Sequence, residues 1–319
     1  VGLPPDAELK RHLEAGAPVF VPVNPIEYHG PHLSLRNDNL VSIGIAKDLH
    51  DRYREALGDH PFLLAPDLDV GVDPCAGPGS EPTPFVEVRR RVRATVDRLA
   101  DLGAKRVVLM TFHGSPLHSH ALQAGVDALA KRGVHAIAPL NIALAQQARG
   151  RYENVEEAWM PVEDEALRAA LRADVAVDFH AGFVETSLSL HYAPETVGDH
   201  RELPPCPPIV PQRTPKTLAR FARAAGLESL GVELDVLARG LAWYALRPFP
   251  GYTGRPHLAN PESGAVFARA IVAGFAEASL AVFDGAKAPR PIMEWMKLAT
   301  LGGRVGAVDV PLEAVGLPG

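Results

Sequence analysis

Two carboxylates and two imidazoles fall within twelve residues, Glu27-Tyr28-His29-Gly30-Pro31-His32-Leu33-Ser34-Leu35-Arg36-Asn37-Asp38. Carboxylate and imidazole together are ligand chemistry for Zn²⁺, Mn²⁺ or Fe²⁺, and a carboxylate has two oxygens with which to bridge two ions. Side chains two apart on an extended segment share a face, so Glu27 and His29 can serve one site. Gly30 and Pro31 turn the chain, and Asp38 falls just before the helical spacing Leu40, Ile43, Lys47, where a loop can fold it back toward the first pair. Taken singly, Asp38 would be a helix N-cap and His32 a hydrogen-bonded loop histidine. Glu27 and His29 are harder to place without a metal, because charged groups at the end of an apolar strand need a partner.

The elements that must position these residues follow from the apolar pattern. Val19-Phe20-Val21-Pro22-Val23 reads as a buried strand, and further strands are expected at 62–66, 106–111, 134–140 and 174–179. Helices are expected at 39–56, from Thr83-Pro84 to Gly103, at about 119–131, at 163–173, from Glu185 onward and at 261–283. Residues 69–83 form a loop rich in Gly and Pro, and 200–216 a Pro-rich surface excursion. Strand, polar tail and helix recur, which is the signature of βαβ units and a mostly parallel sheet. Parallel strands discharge their tails at one rim, so Glu27, His29, His113 and His180 converge although they are far apart in sequence.

Bulk properties bound the function. The 319 residues are 47% hydrophobic, enough for a full core, and no low-complexity linker or repeat marks a boundary. Residues 1–319 are therefore expected to form one elaborated α/β domain, with 284–319, around Trp295, as a C-terminal arm or cap. A net charge of −6 and a pI near 6.1 leave no electrostatic footprint for nucleic acid or an anionic membrane, so a small-molecule substrate is the expected partner. Cys75 and Cys206 are the only cysteines, which fits a reducing compartment and a cytoplasmic location. No basic and apolar leader opens the chain, and no run reads as long enough to span a bilayer. The sequence does not start with Met, which leaves a trimmed leader open. There is no Gly-rich segment ending in Gly-Lys-Ser/Thr, which argues against a phosphate-transfer enzyme.

The opening motif with Asp38, and His180-Ala181-Gly182-Phe183-Val184-Glu185-Thr186-Ser187, closely resemble the two signatures of the creatininase family of metal-dependent amidohydrolases. Phe112-His113-Gly114 stands where that family has an Asn-Gly-His segment, and Gly251-Tyr252-Thr253-Gly254-Arg255-Pro256 resembles its late Gly-x-x-Gly-x-Pro loop. The resemblance runs from about Val19 to Ala278. It implies a three-layer α/β/α fold with a mostly parallel central sheet, two divalent ions per chain (Zn, Mn or Fe), and a homo-oligomer such as a hexamer. Glu27 and His29 would each hold a different ion, Asp38 would bridge them and His113 would be a further ligand. The family's glutamate two residues after that histidine is Ser115 here, which leaves one ion a ligand short unless Glu185 or a water completes it. His118 and His120 are nearby substitutes, though they read more simply as residues opening the following helix. Asn37 and Phe179 replace the family's usual Thr and Trp, and the loop around Cys75 lacks its usual His and Phe, so creatinine itself is not the expected substrate.

The resemblance and the residues together imply a hydrolase. A water shared by two ions would attack a carbonyl as hydroxide, and His180, with an unperturbed pKa near working pH, would protonate the leaving nitrogen. Its alternative role is to orient a ligand. The expected reaction is cleavage of a non-peptide C–N bond in a small cyclic or formylated amide. Ser115 and Trp159 are candidate substrate contacts, Trp159 as a lid aromatic or else as a packed surface tryptophan. The alternatives are a related hydrolase acting on a peptide end, lactone or sugar-like ring, and a non-catalytic member with an eroded metal site.

Overall fold

The computed structural model describes residues 2–150, 152–304 and 310–318. The first half of the chain runs α1 (Asp6–Glu14), β1 (Val19–Pro22), α2 (Asn37–Leu57), β2 (Leu63–Leu64), α3 (Phe85–Asp101), β3 (Arg106–Met110), α4 (Pro116–Ala130), β4 (His135–Ile137) and α5 (Leu140–Ala148). It continues with α6 (Glu165–Asp174), α7 (Phe183–Tyr192), α8 (Arg213–Ala224), α9 (Glu228–Tyr244), α10 (Pro261–Phe283) and the short α11 (Met296–Ala299). Among the described residues the sheet has four strands, all parallel, in the order β2-β1-β3-β4. Val19 pairs with Val107 and Pro22 with Met110, so β1 and β3 end side by side.

Alternation along the strands builds the layers. Phe20, Val108 and Met110 face a core shared with Ile45 and Leu49 of α2, Phe183 and Leu188 of α7, and Phe267 and Phe275 of α10. Val19, Val21, Val107 and Leu109 face the opposite core, with Leu9 and Leu13 of α1, Val92 and Val96 of α3, and Leu122 and Val126 of α4. These are the three layers of an α/β/α fold, with the expected helices at 83–103 and 261–283 in place.

Several expectations are corrected. Residues 174–179 are not a strand: α6 runs to Asp174, one turn of 3-10 helix covers Val175–Val177, and Asp178 turns inward. Its Oδ2 accepts the Val184 N–H and its backbone oxygen accepts Gln147 Nε2, bonds that replace a sheet ladder. Gly182 is required there, since a Cβ would overlap the Asp178 carboxylate. The helix after β3 starts at Pro116, three residues earlier than expected, because Ser115 caps it by accepting the His118 N–H. Helices α1, α5, α8, α9 and α11 stand where the sequence reading places none. By length and composition α10 meets the requirement of a membrane span, contrary to the sequence reading, yet it places Phe267, Val272 and Phe275 in the core.

Gly264 of α10 sits against the Ser187 carbonyl of α7, which a Cβ would overlap. Gly264→Ala must push the two helices apart, and a stability loss of about 1–3 kcal/mol is expected in denaturant unfolding. An unchanged midpoint would show that α7 is not set by this contact.

Candidate metal centre

Parallel pairing delivers the site. Beyond β1, Val23-Asn24-Pro25-Ile26 leads to Glu27, and beyond β3 the chain reaches His113 within three residues. Asp38 lies in the first turn of α2 with Arg36 at the N-cap position, so it does not cap the helix; it points to the site and is 1% exposed. Glu185 lies in the first turn of α7, also buried. Six ionisable residues are thus brought together: Glu27, His29, Asp38, His113, His180 and Glu185.

Each imidazole spends one ring nitrogen on a backbone carbonyl. His29 Nδ1 donates to the Glu27 oxygen at 3.0 Å, His113 Nε2 to the Val72 oxygen at 2.8 Å, and His180 Nε2 to the Tyr28 oxygen at 2.9 Å. A carbonyl can only accept, so these bonds set the tautomers and leave the other nitrogen of each ring toward the carboxylates. His113 Nδ1 lies 2.7 Å from Glu27 Oε2 and 3.7 Å from Asp38 Oδ2. His29 Nε2 lies 3.3 Å from Asp38 Oδ1 and 3.2 Å from Glu185 Oε1. The two oxygens of Asp38 are therefore divided between two groups, Glu27-Asp38-His113 and His29-Asp38-Glu185, and within each the ligand-type atoms lie within 4.8 Å of one another. Glu27, His29 and His180 form a third such group.

The carboxylates of Glu27 and Glu185 are held by backbone and side-chain donors. The Cys75 N–H donates to Glu27 Oε1, the Ala181 N–H to Glu185 Oε2, and Asn37 Nδ2 to Glu185 Oε1. With each ring in the neutral tautomer its carbonyl sets, Glu27 Oε2, His29 Nε2 and Asp38 Oδ2 are buried without a hydrogen-bond partner among the described residues. Orphaned acceptors and an orphaned imidazole nitrogen facing one another fit a cation. Burial pushes the Asp38 carboxyl up to about 7, helped by Glu27 and opposed by His29. Burial would push His113 down, but Glu27 beside it outweighs this and holds it up at about 9. Burial likewise works against the charge on Glu27, yet His113 keeps its carboxyl well below the usual range. Protons on His29 and His113 balance charge that a divalent ion would balance when bound.

The remaining sequence candidates separate. Ser115 caps α4 and lines a large cavity beside Glu27, His113 and His180. Trp159 is not a lid: it is 5% exposed and stacks on Phe183 at 5.7 Å in the core, because the apolar faces of α7 and α10 converge under it. His118 is buried, with Nε2 3.0 Å from the Val23 oxygen, and His120 Nε2 reaches the Met293 oxygen. His32 bonds Thr186 Oγ1, as a loop histidine would. Sequence reasoning missed Trp243, whose ring lies 5.4 Å from His180, and the backbone groups of Val72 and Cys75; no local pattern marks a backbone carbonyl as a ligand's anchor.

The chain is similar to known proteins of one family. The creatininase family model, described as creatinine amidohydrolase, matches residues 6–279. A mycofactocin precursor peptide peptidase of Mycolicibacterium smegmatis (strain ATCC 700084 / mc(2)155) is 29% identical over 194 residues, 59% of this chain and 63% of the relative. The chain thus covers less than two thirds of that protein. Among solved structures, a creatinine amidohydrolase (creatininase) aligns with a TM-score of 0.55 and 21% identity over 88% of this chain and 96% of its own. A creatininase described as Mn (TM-score 0.55) and a mutant of Zn-Zn type (0.56) are each 22% identical, over 87% of this chain and 95% of theirs. At such identities the structures carry the fold, while the family match spans most of the sequence: this chain belongs to the creatininase family.

Proposed function

We propose that this protein is a metal-dependent hydrolase that holds two divalent ions and cleaves a non-peptide C–N bond in a cyclic or formylated amide. The observation that carries this reading is the division of the Asp38 oxygens between two ligand groups. Glu27, Asp38 and His113 would hold one ion, and His29, Asp38 and Glu185 the other. Two ions there would polarise a carbonyl and draw the pKa of a water toward neutrality. Glu185 beside His29 supplies a third carboxylate, which speaks against an eroded site despite Ser115.

The chain's own part is orientation and proton transfer. His180 keeps Nε2 on the Tyr28 carbonyl, while Nδ1 lies 3.9 Å from Glu27 Oε1 and the ring stacks on His29 with centroids 4.5 Å apart. Burial first, and then the neighbouring His29, hold the His180 pKa below its ordinary value, so at neutral pH it is ready to accept a proton. In hydrolysis the water oxygen bonds to the carbonyl carbon as its proton passes to His180, and the C–N bond breaks as His180 returns that proton to the nitrogen. Thr253 Oγ1 accepts the N–H groups of both Phe179 and His180 and so fixes the backbone that carries the ring.

A second reading, hydrolysis at a peptide end, is favoured by the name of the Mycolicibacterium relative. A panel of cyclic amides, formamides and short peptides, assayed with metal-loaded protein, separates the two by which class is turned over.

Elemental analysis is expected to find two ions per chain, and Asp38→Asn to reduce this to one or none; an indifferent mutant would remove the shared carboxylate from the reading. For His180→Ala, turnover is expected to fall roughly 10²–10⁴-fold with ion content retained. Ions lost together with activity would make His180 a ligand rather than the proton carrier.

A further inference from the structure

Beside Glu27, His113 and His180 opens a cavity of about 360 Å³ that catalysis at the metal centre does not by itself explain. Its outer wall comes from Leu237 and Leu241 of α9 and from Met293 and Met296 of the segment after α10. The wall is built to hold its shape. Glu233 of α9 accepts the Met293 N–H at 2.8 Å and the Trp295 Nε1–H at 2.9 Å. The Met293 oxygen is met by His120 Nε2 at 3.2 Å. Met293 is thereby fixed on both backbone groups at a φ of +59°, a conformation that an unbranched side chain adopts only when its surroundings impose it.

Outside the metal centre the charged residues on this cavity are Asp73 and Arg239. Asp73 already has a partner. Arg239 is half-buried, and its one hydrogen bond among the described residues goes from Nη2 to the Ala148 oxygen at 3.2 Å. Asp235, one turn back on α9, is engaged by Arg223 at 2.7 Å, and no carboxylate among the described residues is within ion-pair distance of Arg239. A guanidinium offers five donors in a planar fork matched to a carboxylate, so most of its capacity is left for a ligand in the cavity. Apolar walls, to which Phe179, Trp243 and Tyr244 add aromatic rings, with one such cation select an apolar body carrying an anion.

We propose that this cavity is the substrate compartment, that it takes an amide bearing a bulky apolar group together with a carboxylate, and that Arg239 receives the carboxylate. The proposal rests on the hydrolase reading of the metal centre, and its test is read by binding instead of turnover so that the two can fail separately.

The probes are 3-phenylpropionate, propionate and 3-phenylpropanol, titrated calorimetrically into the metal-loaded full chain. 3-Phenylpropionate is expected to bind at least about tenfold more tightly than either comparator, since one lacks the ring and the other the charge. Arg239→Gln should bring it to the level of 3-phenylpropanol with ion content unchanged, Arg239→Lys should restore part of the difference, and Leu237→Trp should weaken both aromatic probes by filling the cavity. Binding of 3-phenylpropionate that ignores Arg239→Gln would place the carboxylate on the metal centre and overturn the assignment; equal binding of propionate would overturn the apolar compartment. A protein that binds 3-phenylpropionate through Arg239 yet hydrolyses no amide would count against the hydrolase reading and for the compartment.

Discussion

Three carboxylates are buried together, Asp38 lying within a few ångströms of both Glu27 and Glu185, and the rest of the structure is arranged around that electrostatic problem. Bare anions in a low-dielectric interior repel and lose their hydration, so such a cluster persists only with compensating positive charge. Here the compensation is graded. Backbone N–H groups of Cys75 and Ala181 take the outer oxygens, and imidazoles that can hold a proton or cede it to a metal face the inner ones. Because His29, His113 and His180 are each tied to a carbonyl by one nitrogen, the direction of the other is set by backbone geometry. The loop carbonyl of Val72 and the tight turn around His29 are therefore as much a part of the site as the ligand side chains.

The fold meets this demand by letting independent elements deliver one charge each. Adjacent parallel strands β1 and β3 end in register and bring Glu27 and His113 to the same rim. The first turns of α2 and α7 bring Asp38 and Glu185, and helix N-termini favour negative charge. Asn37 links them, donating to Glu185 Oε1 and accepting from Ser189 Oγ, so the spacing between α2 and α7 is fixed by a buried polar chain as well as by packing.

What could be read from the residues, and what could not, follows the range of the interactions concerned. Glu27, His29, Asp38 and His113 stand at the ends of periodic apolar runs, where period and turn signals place a side chain with no knowledge of the rest of the molecule. Residues 174–179 carry an alternating pattern that looks like a strand, but no strand of the sheet is there to pair with, and Asp178 instead binds the start of α7. Trp159 in an acidic stretch looked like a surface aromatic; only the convergence of Phe183 and Phe267 reveals that it is core. The compartment beyond the metal centre depends on Glu233 meeting Met293 and Trp295 some sixty residues on, a contact that no local spacing announces.

The exchange at Ser115 connects the two halves of the site. Where the family resemblance leads one to expect a glutamate this chain has Ser115, and Glu185 on α7 stands beside His29, 3.2 Å from its Nε2. Ser115 is left to cap α4, and it lines the large cavity with a small side chain where a glutamate would project. A small side chain at this position leaves room on the side facing α9. That side is where Leu237, Leu241 and Arg239 lie, so the small size of Ser115 keeps the metal centre open to this wall.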